Sequence, residues 1–480
     1  MNPIQQNLVD TVLARFGPKA VTTDAEAIAP WLSDWRGRYR GASPALLSPA
    51  SRDEVSAIVA LAHAAGVPLV PQGGNTSMVG GATPQADGSA LILSLRRMNR
   101  IRSLSTGDNL AVAEAGVILA DLHAAALDAG RRFPLTLGAR GSATIGGLTS
   151  TNAGGTQVLR FGTMRSLVAG VEAVLPDGSV HDGLAALKKD NRGYDLNQLL
   201  IGSEGTLAII TAASLRLVPA ITSRAVAWVG LASPQAALDL LRRIDSPAIE
   251  SFEIVPGDSL ALVLEHIPGT RDPLTGRHPW HVLIEAVASD AQAESPAALL
   301  ERLLGAALEE GLAADAVVAA NEAQAEAFWR IRDSLSEAER ASGPAVQHDI
   351  SVPVSDMPRF MTEGAAEAEG RFPGCRASAY GHLGDGNVHF HVRAPAGADR
   401  DAFYAELAPA ITRLVHDMVV AAGGSISAEH GIGQLKRDEL ARLSSPARMM
   451  ALRAIKRAFD PHELMNPGKL VALAPEPPTP

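Results

Sequence analysis

Three of the chain's thirteen histidines lie between residues 382 and 391, in the stretch GHLGDGNVHFHV. His389 and His391 flank Phe390, so on a strand both project to one face and Phe390 to the other. His382 precedes Leu383-Gly384-Asp385-Gly386-Asn387, a turn able to fold it back toward His389. Two imidazoles suit Zn²⁺, Mn²⁺, Co²⁺ or Fe²⁺ better than Mg²⁺ or Ca²⁺, and they leave such a site short of ligands. Downstream, SAEHGIG offers Glu429 as a carboxylate and His430 beside it. Two histidines and one glutamate leave an open position, as a catalytic metal site requires. A histidine alone near a strand is ordinarily structural. A pair across a glycine turn, with an acid downstream, points to a metal. His430, with an ordinary pKa of about 6.5, suits a general base near neutrality. Glu429 and His430 are adjacent, so both can serve one site only if the chain bends at Gly431.

Three glycine clusters form a second chemical signal: PQGGNTSMVGGATP (71–84), LGARGSATIGGLTSTNAGGTQVLRFG (137–162) and IGSEGTLAIIT (201–211). None contains G-x-G-x-x-G or G-x-x-x-x-G-K-[ST], so neither the usual dinucleotide crossover nor the P-loop is supported. A single cluster reads most simply as a turn. Three, each after a strand-like run and rich in Asn, Ser and Thr, suit a pyrophosphate. Glycine lets the backbone approach a ligand closely, and runs such as Gly73-Gly74-Asn75-Thr76 can aim several N–H groups at one anion.

These residues need elements to position them. In DEVSAIVALAHAAG (53–66), Val55, Ile58, Val59 and Ala62 share one helical stripe, with Asp53 and Glu54 in the first turn and Gly66 at the end. Strands and helices alternate through roughly the first 220 residues, and a boundary near Pro219 follows. Beyond it AVAWVGLA, IESFEIV and HVLIEAVA read as strands among helices, a helix is expected over 318–342, and HDISVPV is a further strand. The expected class is α+β. Residues 1–219, with a core from about 40, form one domain. Residues 220–425 form a second, with an antiparallel sheet covered by helices. Residues 426–480 return to the first domain and end in a disordered tail from about 474.

Composition narrows the functional classes. The chain of 480 residues is 46% hydrophobic and 20% charged with a net charge of −10, which argues against a nucleic-acid surface. Cys375 is the one cysteine, which suits a reducing compartment, and a cytoplasmic location is expected. The N-terminus reads as an amphipathic helix rather than a signal peptide, and no run is long and apolar enough for a membrane span.

In this order the three glycine clusters resemble the FAD-binding (PCMH-type) domain of the vanillyl-alcohol-oxidase-type flavoproteins. GHLGDGNVHFHV, SAEHGIGQLK and FDPHELMNPGKL resemble the C-terminal half of the FAD-linked oxidases. The resemblance runs from about residue 40 to 470 and is nearest the D-2-hydroxyglutarate dehydrogenase branch, with D-lactate dehydrogenase and the glycolate oxidase FAD subunit as relatives. It implies that Pro71, Gly73, Gly74, Asn75, Thr76, Gly80 and Gly81 cradle the pyrophosphate. Gly138, Ser142, Gly146, Gly147, Thr151, Asn152 and Gly155 would line the flavin, and Gly202, Glu204, Gly205, Ile209 and Asn466 would hold the cofactor from another side. Some members tether the flavin through a histidine in the first loop; Asn75 and no histidine stands there, so dissociable FAD is expected.

The same resemblance selects His382, His389 and Glu429 as metal ligands, zinc first, with manganese or cobalt as alternatives. It implies oxidation of a D-2-hydroxy acid, D-2-hydroxyglutarate or D-malate foremost, by hydride transfer to flavin N5, with His430 as base. Arg332, Ser336, Gln347, His391 and His430 would contact substrate. Two positions depart from the family: Gln347 stands where a lysine is common and His391 where an asparagine is common. The loss of the lysine charge puts the dianion in question, with Arg192 as a compensating cation. D-lactate or glycolate oxidation, and a flavin electron-relay subunit without its own substrate, are the alternatives. The expected electron acceptor is an electron-transfer flavoprotein or a quinone-linked chain. A homodimer is compatible with the sequence.

Overall fold

Short aliphatic runs between glycine-rich connections build the strands of the first half of the chain. The computed structural model describes residues 1–473, so the tail expected from about 474 lies outside the described residues. The chain divides into two compact units: one of residues 1–155, 162–219 and 429–480, the other of 156–161 and 220–428. The returning segment thus begins at Glu429, against the expected 426, and residues 156–161 belong with the second unit.

The first unit holds three sheets. One has four strands, β1 (Val21–Thr22), β2 (Leu46–Leu47), β3 (Leu69–Gln72) and β4 (Leu91–Ser94), in the order β1-β2-β4-β3. The helix Arg52–Ala65 joins β2 to β3. Ser51 accepts its first-turn N–H from Glu54, Gly66 closes it at φ 64°, and Val55, Ile58, Val59 and Ala62 are its buried residues. The second sheet is antiparallel, of β5 (Ile101–Ser105), β6 (Leu110–Glu114), β8 (Val168–Val174), β9 (Val180–Asp182) and β10 (Ile209–Arg216), ordered β5-β6-β10-β8-β9. A small pair joins β7 (Arg131–Arg132) to β11 (Val218–Pro219). The C-terminal segment lies against β3, where Leu69 bridges Met465 and the Asn466 N–H donates to Leu69 O at 2.8 Å.

The second unit is one seven-stranded antiparallel sheet. Its strands are β12 (Ser223–Leu231), β13 (Ile249–Pro256), β14 (Trp280–Ala288), β15 (Asp315–Val318), β16 (Ala345–Ser351), β17 (Arg376–His382) and β18 (Asn387–Arg393), ordered β15-β12-β14-β13-β17-β18-β16. Helices Pro234–Ile244, Pro296–Glu309, Met357–Arg371 and Ala408–Ala421 cover one face, closing a core that includes Val388, Phe390 and Val392. Helices Gly257–His266, Glu322–Asp333 and Leu335–Ala341 pack on the other face around Trp228, Phe328 and Tyr380. The fold is α+β.

The helix expected over 318–342 is instead an edge strand followed by two helices. Asp315–Val318 pairs with β12, Asn321 caps the helix Glu322–Asp333, and Ser334 separates it from Leu335–Ala341. Pairing with β12 outweighs the helical propensity of the alanines. Arg332 and Ser336 therefore flank a helix junction rather than sharing one continuous helical face.

Candidate functional site

Strand alternation makes one face of the second unit's sheet polar near its β16 edge. Val388, Phe390 and Val392 enter the apolar core, which sends Asn387, His389 and His391 to the opposite face. The antiparallel register then aligns side chains across the strands: His382 opposite Asn387, Tyr380 and Asp349 opposite His389, Gln347 and Ser378 opposite His391. Glu253 stands opposite His382 on β13. The tight turn at Gly386 (φ 81°) folds His382 back, as expected from its glycines. The His382 and His389 rings meet edge to face with centroids 5.4 Å apart, and each offers a nitrogen within 4.8 Å of the other's.

Buried partners define the chemistry of these imidazoles. Glu253, 1% exposed, lies 2.7 Å from Nδ1 of His382 and accepts from Nε of Arg332 at 2.8 Å. Burial works to raise its pKa, but Arg332 and His382 outweigh burial and hold the Glu253 carboxyl below the usual range. An ionised carboxylate only accepts, so Nδ1 of His382 carries a proton, and Arg332 Nη2 stands 3.2 Å from Nε2. Burial, with His382 and Arg332 next to it, holds His389 well below the usual imidazole range. Neutral imidazoles are the form that binds metal.

A second buried pair lies further along the same face. His391 pairs with Glu339, which also accepts from Ser378 and, at 3.4 Å, from Ser259. Although burial opposes it, His391 keeps the Glu339 pKa low. The resemblance cast His391 as a substrate contact; in the structure its Nδ1 is given to Glu339. Ser336 and Gln347, both expected at the substrate, do meet: Gln347 Nε2 donates to Ser336 Oγ at 3.3 Å. The same Oγ accepts from Arg340 Nη1 at 3.1 Å, and the Tyr380 hydroxyl lies near Ser336. Arg332, expected to contact substrate, is largely buried with its charge matched by Glu253. In the first unit, exposed Arg192 is paired with Asp190 at 2.6 Å.

Glu429 and His430 open the segment that returns to the first unit, directly after Ala428. Ser425 bridges Ser351 at the end of β16, with N–H···O bonds of 2.8 and 3.0 Å. Glu429 is four residues further on, so the extended chain tethers it within about 14 Å of that bridge. Gly431, where a bend was required, has φ 79°.

In the first unit the three glycine loops close on one another. A Cβ on Gly73 would stand 2.1 Å from Thr144 Oγ1, on Gly74 2.0 Å from Ser142 O, and on Gly205 2.6 Å from Pro71 Cγ. Glycine at these positions is what lets the first loop approach the other two. Glu204 accepts the N–H groups of Ile432 and Gly433, each at 2.7 Å, and Asn466 Nδ2 donates to Gly81 O and Glu204 O. Asn75, Asn152, Glu204 and Asn466 all sit at positive φ, a conformation that non-glycine residues adopt only when their surroundings enforce it. Some expected cofactor contacts are spent on the loops themselves. Asn75 Nδ2 donates to Ser33 O, Thr151 Oγ1 to Gly147 O, and Asn152 Oδ1 accepts from Thr163 Oγ1 and Arg165 N. Ile209 is buried at the start of β10.

Both implied groups fit the residues present. Thr144 Oγ1 and Asn466 Oδ1 are buried at the loop junction and, among the described residues, have no hydrogen-bond partner, as expected of atoms that meet a polar cofactor. The His382–His389 pair, one ring backed by a carboxylate, is a donor set suited to zinc or a similar ion. The residues that escaped sequence reasoning are Glu253, Glu339, Tyr380 and Arg340. Buried Glu253 had a signal, being an acid at alternating spacing within the apolar run IESFEIV.

The chain belongs to the FAD-linked oxidases. Residues 221–470 match the family described as FAD linked oxidases, C-terminal domain, and residues 43–183 match the FAD binding domain. It is 36% identical to the mitochondrial D-2-hydroxyglutarate dehydrogenase of Arabidopsis thaliana, over 98% of this chain and 83% of that protein. Identity is 36% to the mitochondrial D-2-hydroxyglutarate dehydrogenase of Bos taurus, over 96% and 82%, and 34% to the D-2-hydroxyglutarate dehydrogenase of Stutzerimonas stutzeri, over 97% and 99%. Among solved structures, p-cresol methylhydroxylase shares the fold at a TM-score of 0.74 and 16% identity, over 98% of this chain and 97% of that one.

Proposed function

We propose that the protein is an FAD-dependent, divalent-metal-assisted dehydrogenase that oxidises a D-2-hydroxy acid to the 2-oxo acid, with D-2-hydroxyglutarate or a similar dicarboxylate such as D-malate preferred. The carrying observation is the juxtaposition of the imidazoles of His382 and His389 in a chain whose other unit holds the FAD-binding loops. The names of the full-length relatives support the substrate class.

Bound FAD supplies the hydride acceptor, and a bound divalent ion supplies the Lewis acid that lowers the pKa of a chelated α-hydroxyl. His382, His389 and Glu429 would hold the ion, zinc first and manganese or cobalt otherwise. Glu253 keeps a proton on Nδ1 of His382, which leaves Nε2, now 3.2 Å from Arg332 Nη2, as the nitrogen that would bind the ion. A ring nitrogen of His430 takes the hydroxyl proton. The FAD is held without a covalent link, since Asn75 replaces the tethering histidine. Electrons then leave to a protein or quinone-linked acceptor, and the single buried thiol of Cys375 suits the cytoplasm.

Gln347 favours one competing reading, D-lactate or glycolate oxidation, because a neutral side chain makes weaker bonds to a second carboxylate than a lysine would. Anaerobic reduction of the flavin by D-2-hydroxyglutarate, D-malate, D-lactate, glycolate and their L-isomers decides between them. Rapid bleaching by the D-dicarboxylates is expected. Bleaching by D-lactate alone would replace the preferred substrate, and a flavin reduced by no 2-hydroxy acid would overturn the reading.

A further inference from the structure

The charge balance on the polar face leaves two cations without a carboxylate salt bridge among the described residues, Arg340 and, at the end of β18, Arg393, whose Nη1 donates to Ser342 Oγ at 3.3 Å. Arg332 is matched by Glu253 and His391 by Glu339, and Gln347 is neutral. Arg340, in the last turn of Leu335–Ala341, is exposed and has no carboxylate partner among the described residues. Its Nη1 is 3.1 Å from Ser336 Oγ, the atom that Gln347 Nε2 also reaches and that lies beside the Tyr380 hydroxyl. A guanidinium, a carboxamide N–H and two hydroxyls thus gather around one point. A serine hydroxyl is a small acceptor for so many donors. A carboxylate, with two oxygens and roughly four lone pairs, satisfies them better and allows the planar guanidinium to bind with two N–H groups.

The spacing also fits. Gln347 lies two residues along β16 from Asp349, whose cross-strand partner is His389. Positions two apart on a strand are about 7 Å apart, comparable to the distance between the two carboxylates of a short extended diacid. A substrate held at His382 and His389 by its 2-hydroxy acid end would carry its other end to Ser336.

We propose that Arg340, together with Ser336 and Gln347, binds the second carboxylate of a dicarboxylic 2-hydroxy acid, so that the charge the family commonly places at position 347 comes in this chain from the helix facing it. The inference rests on the proposed function and names the substrate class of that site. It gives Arg340 a recognition role in place of a solvated one at a helix C-terminus.

The test is steady-state kinetics on the FAD-loaded, metal-loaded enzyme with D-2-hydroxyglutarate, D-malate and D-lactate. Loss of one charge-assisted bond is worth roughly tenfold to a hundredfold. Arg340→Ala should therefore lower kcat/KM for the two dicarboxylates by that factor more than for D-lactate, mainly through KM. Placing Gln347→Lys in the same chain should recover most of the loss. Equal effects on all three acids, or no effect, would overturn the inference while D-hydroxy-acid oxidation stood. A double variant as impaired as Arg340→Ala would also overturn it, by placing the effect outside this cluster. A wild-type flavin that no 2-hydroxy acid reduces would overturn the underlying function as well.

Discussion

Glu253 holds two partners at once, Nδ1 of His382 at 2.7 Å and Nε of Arg332 at 2.8 Å, and all three side chains are nearly buried. A carboxylate on one nitrogen of an imidazole fixes the tautomer and makes the other nitrogen a better ligand. Arg332 in turn keeps Glu253 ionised. This pairing accounts for a buried arginine that the sequence suggested as a direct substrate clamp.

Glu253→Gln should therefore weaken divalent-cation binding by about tenfold to a hundredfold, read by chelator competition on the isolated protein. The same change leaves Arg332 buried and unmatched, at a cost of about 3 kcal/mol in unfolding free energy, read by denaturant titration. Destabilisation with unchanged cation affinity would make Glu253 a partner of Arg332 alone.

Glu204 offers a second test, at the loop junction. Its two carboxylate oxygens accept the Ile432 and Gly433 N–H groups, and its backbone sits at φ 53°. Burial raises its pKa, and the two N–H groups and Lys436 act against that rise. A glutamine could accept only one of the bonds and would turn its NH₂ toward the other N–H. Glu204→Gln should cost about 1.5–3 kcal/mol at this junction and raise the Kd for FAD by roughly tenfold or more. Flavin fluorescence on dilution would measure it, and unchanged retention would separate this contact from cofactor binding.

The legible parts of the sequence were those set by local rules. The glycine turn and strand alternation of 382–392 anticipate which histidines meet, and Val55, Ile58, Val59 and Ala62 anticipate the buried stripe of their helix. Glu253 and Glu339 were not legible as site residues. An acid is read as solvated until its partner is known, and Arg332 and His391 lie 79 and 52 residues further along the chain. The break at Ser334 was hidden because helix formers on both sides outweigh one serine. Nothing local marks Glu204 for a left-handed backbone, which the surrounding loops enforce.

Asn75 bears on how the flavin is held. Its side chain donates to Ser33 O at 2.9 Å and its backbone lies at φ 56°, so the position serves loop geometry and offers no nucleophile for a covalent tether. Acid precipitation should leave a colourless pellet and all the flavin in the supernatant. Yellow protein after washing would show a covalent link formed elsewhere.

His281 should make stability fall with acid, independently of the catalytic face. It is 2% exposed, and its Nδ1 accepts from Trp228 Nε1 at 3.1 Å, so the ring is held in its neutral form. Burial is the main cause that lowers its pKa to about 4. Between about 6.5 and about 4 the unfolded chain binds a proton at this site and the folded chain does not, so stability is full above the unfolded value and is lost as pH falls through that window. Taking the protein from pH 7 to pH 5 should cost about 2 kcal/mol at this one group. His281→Gln, which keeps an acceptor for Trp228 but cannot titrate, should be less stable at pH 7 yet lose about 2 kcal/mol less than the wild type over the same interval. Parallel stability curves for the two proteins between pH 7 and pH 5 would assign the acid sensitivity to other groups.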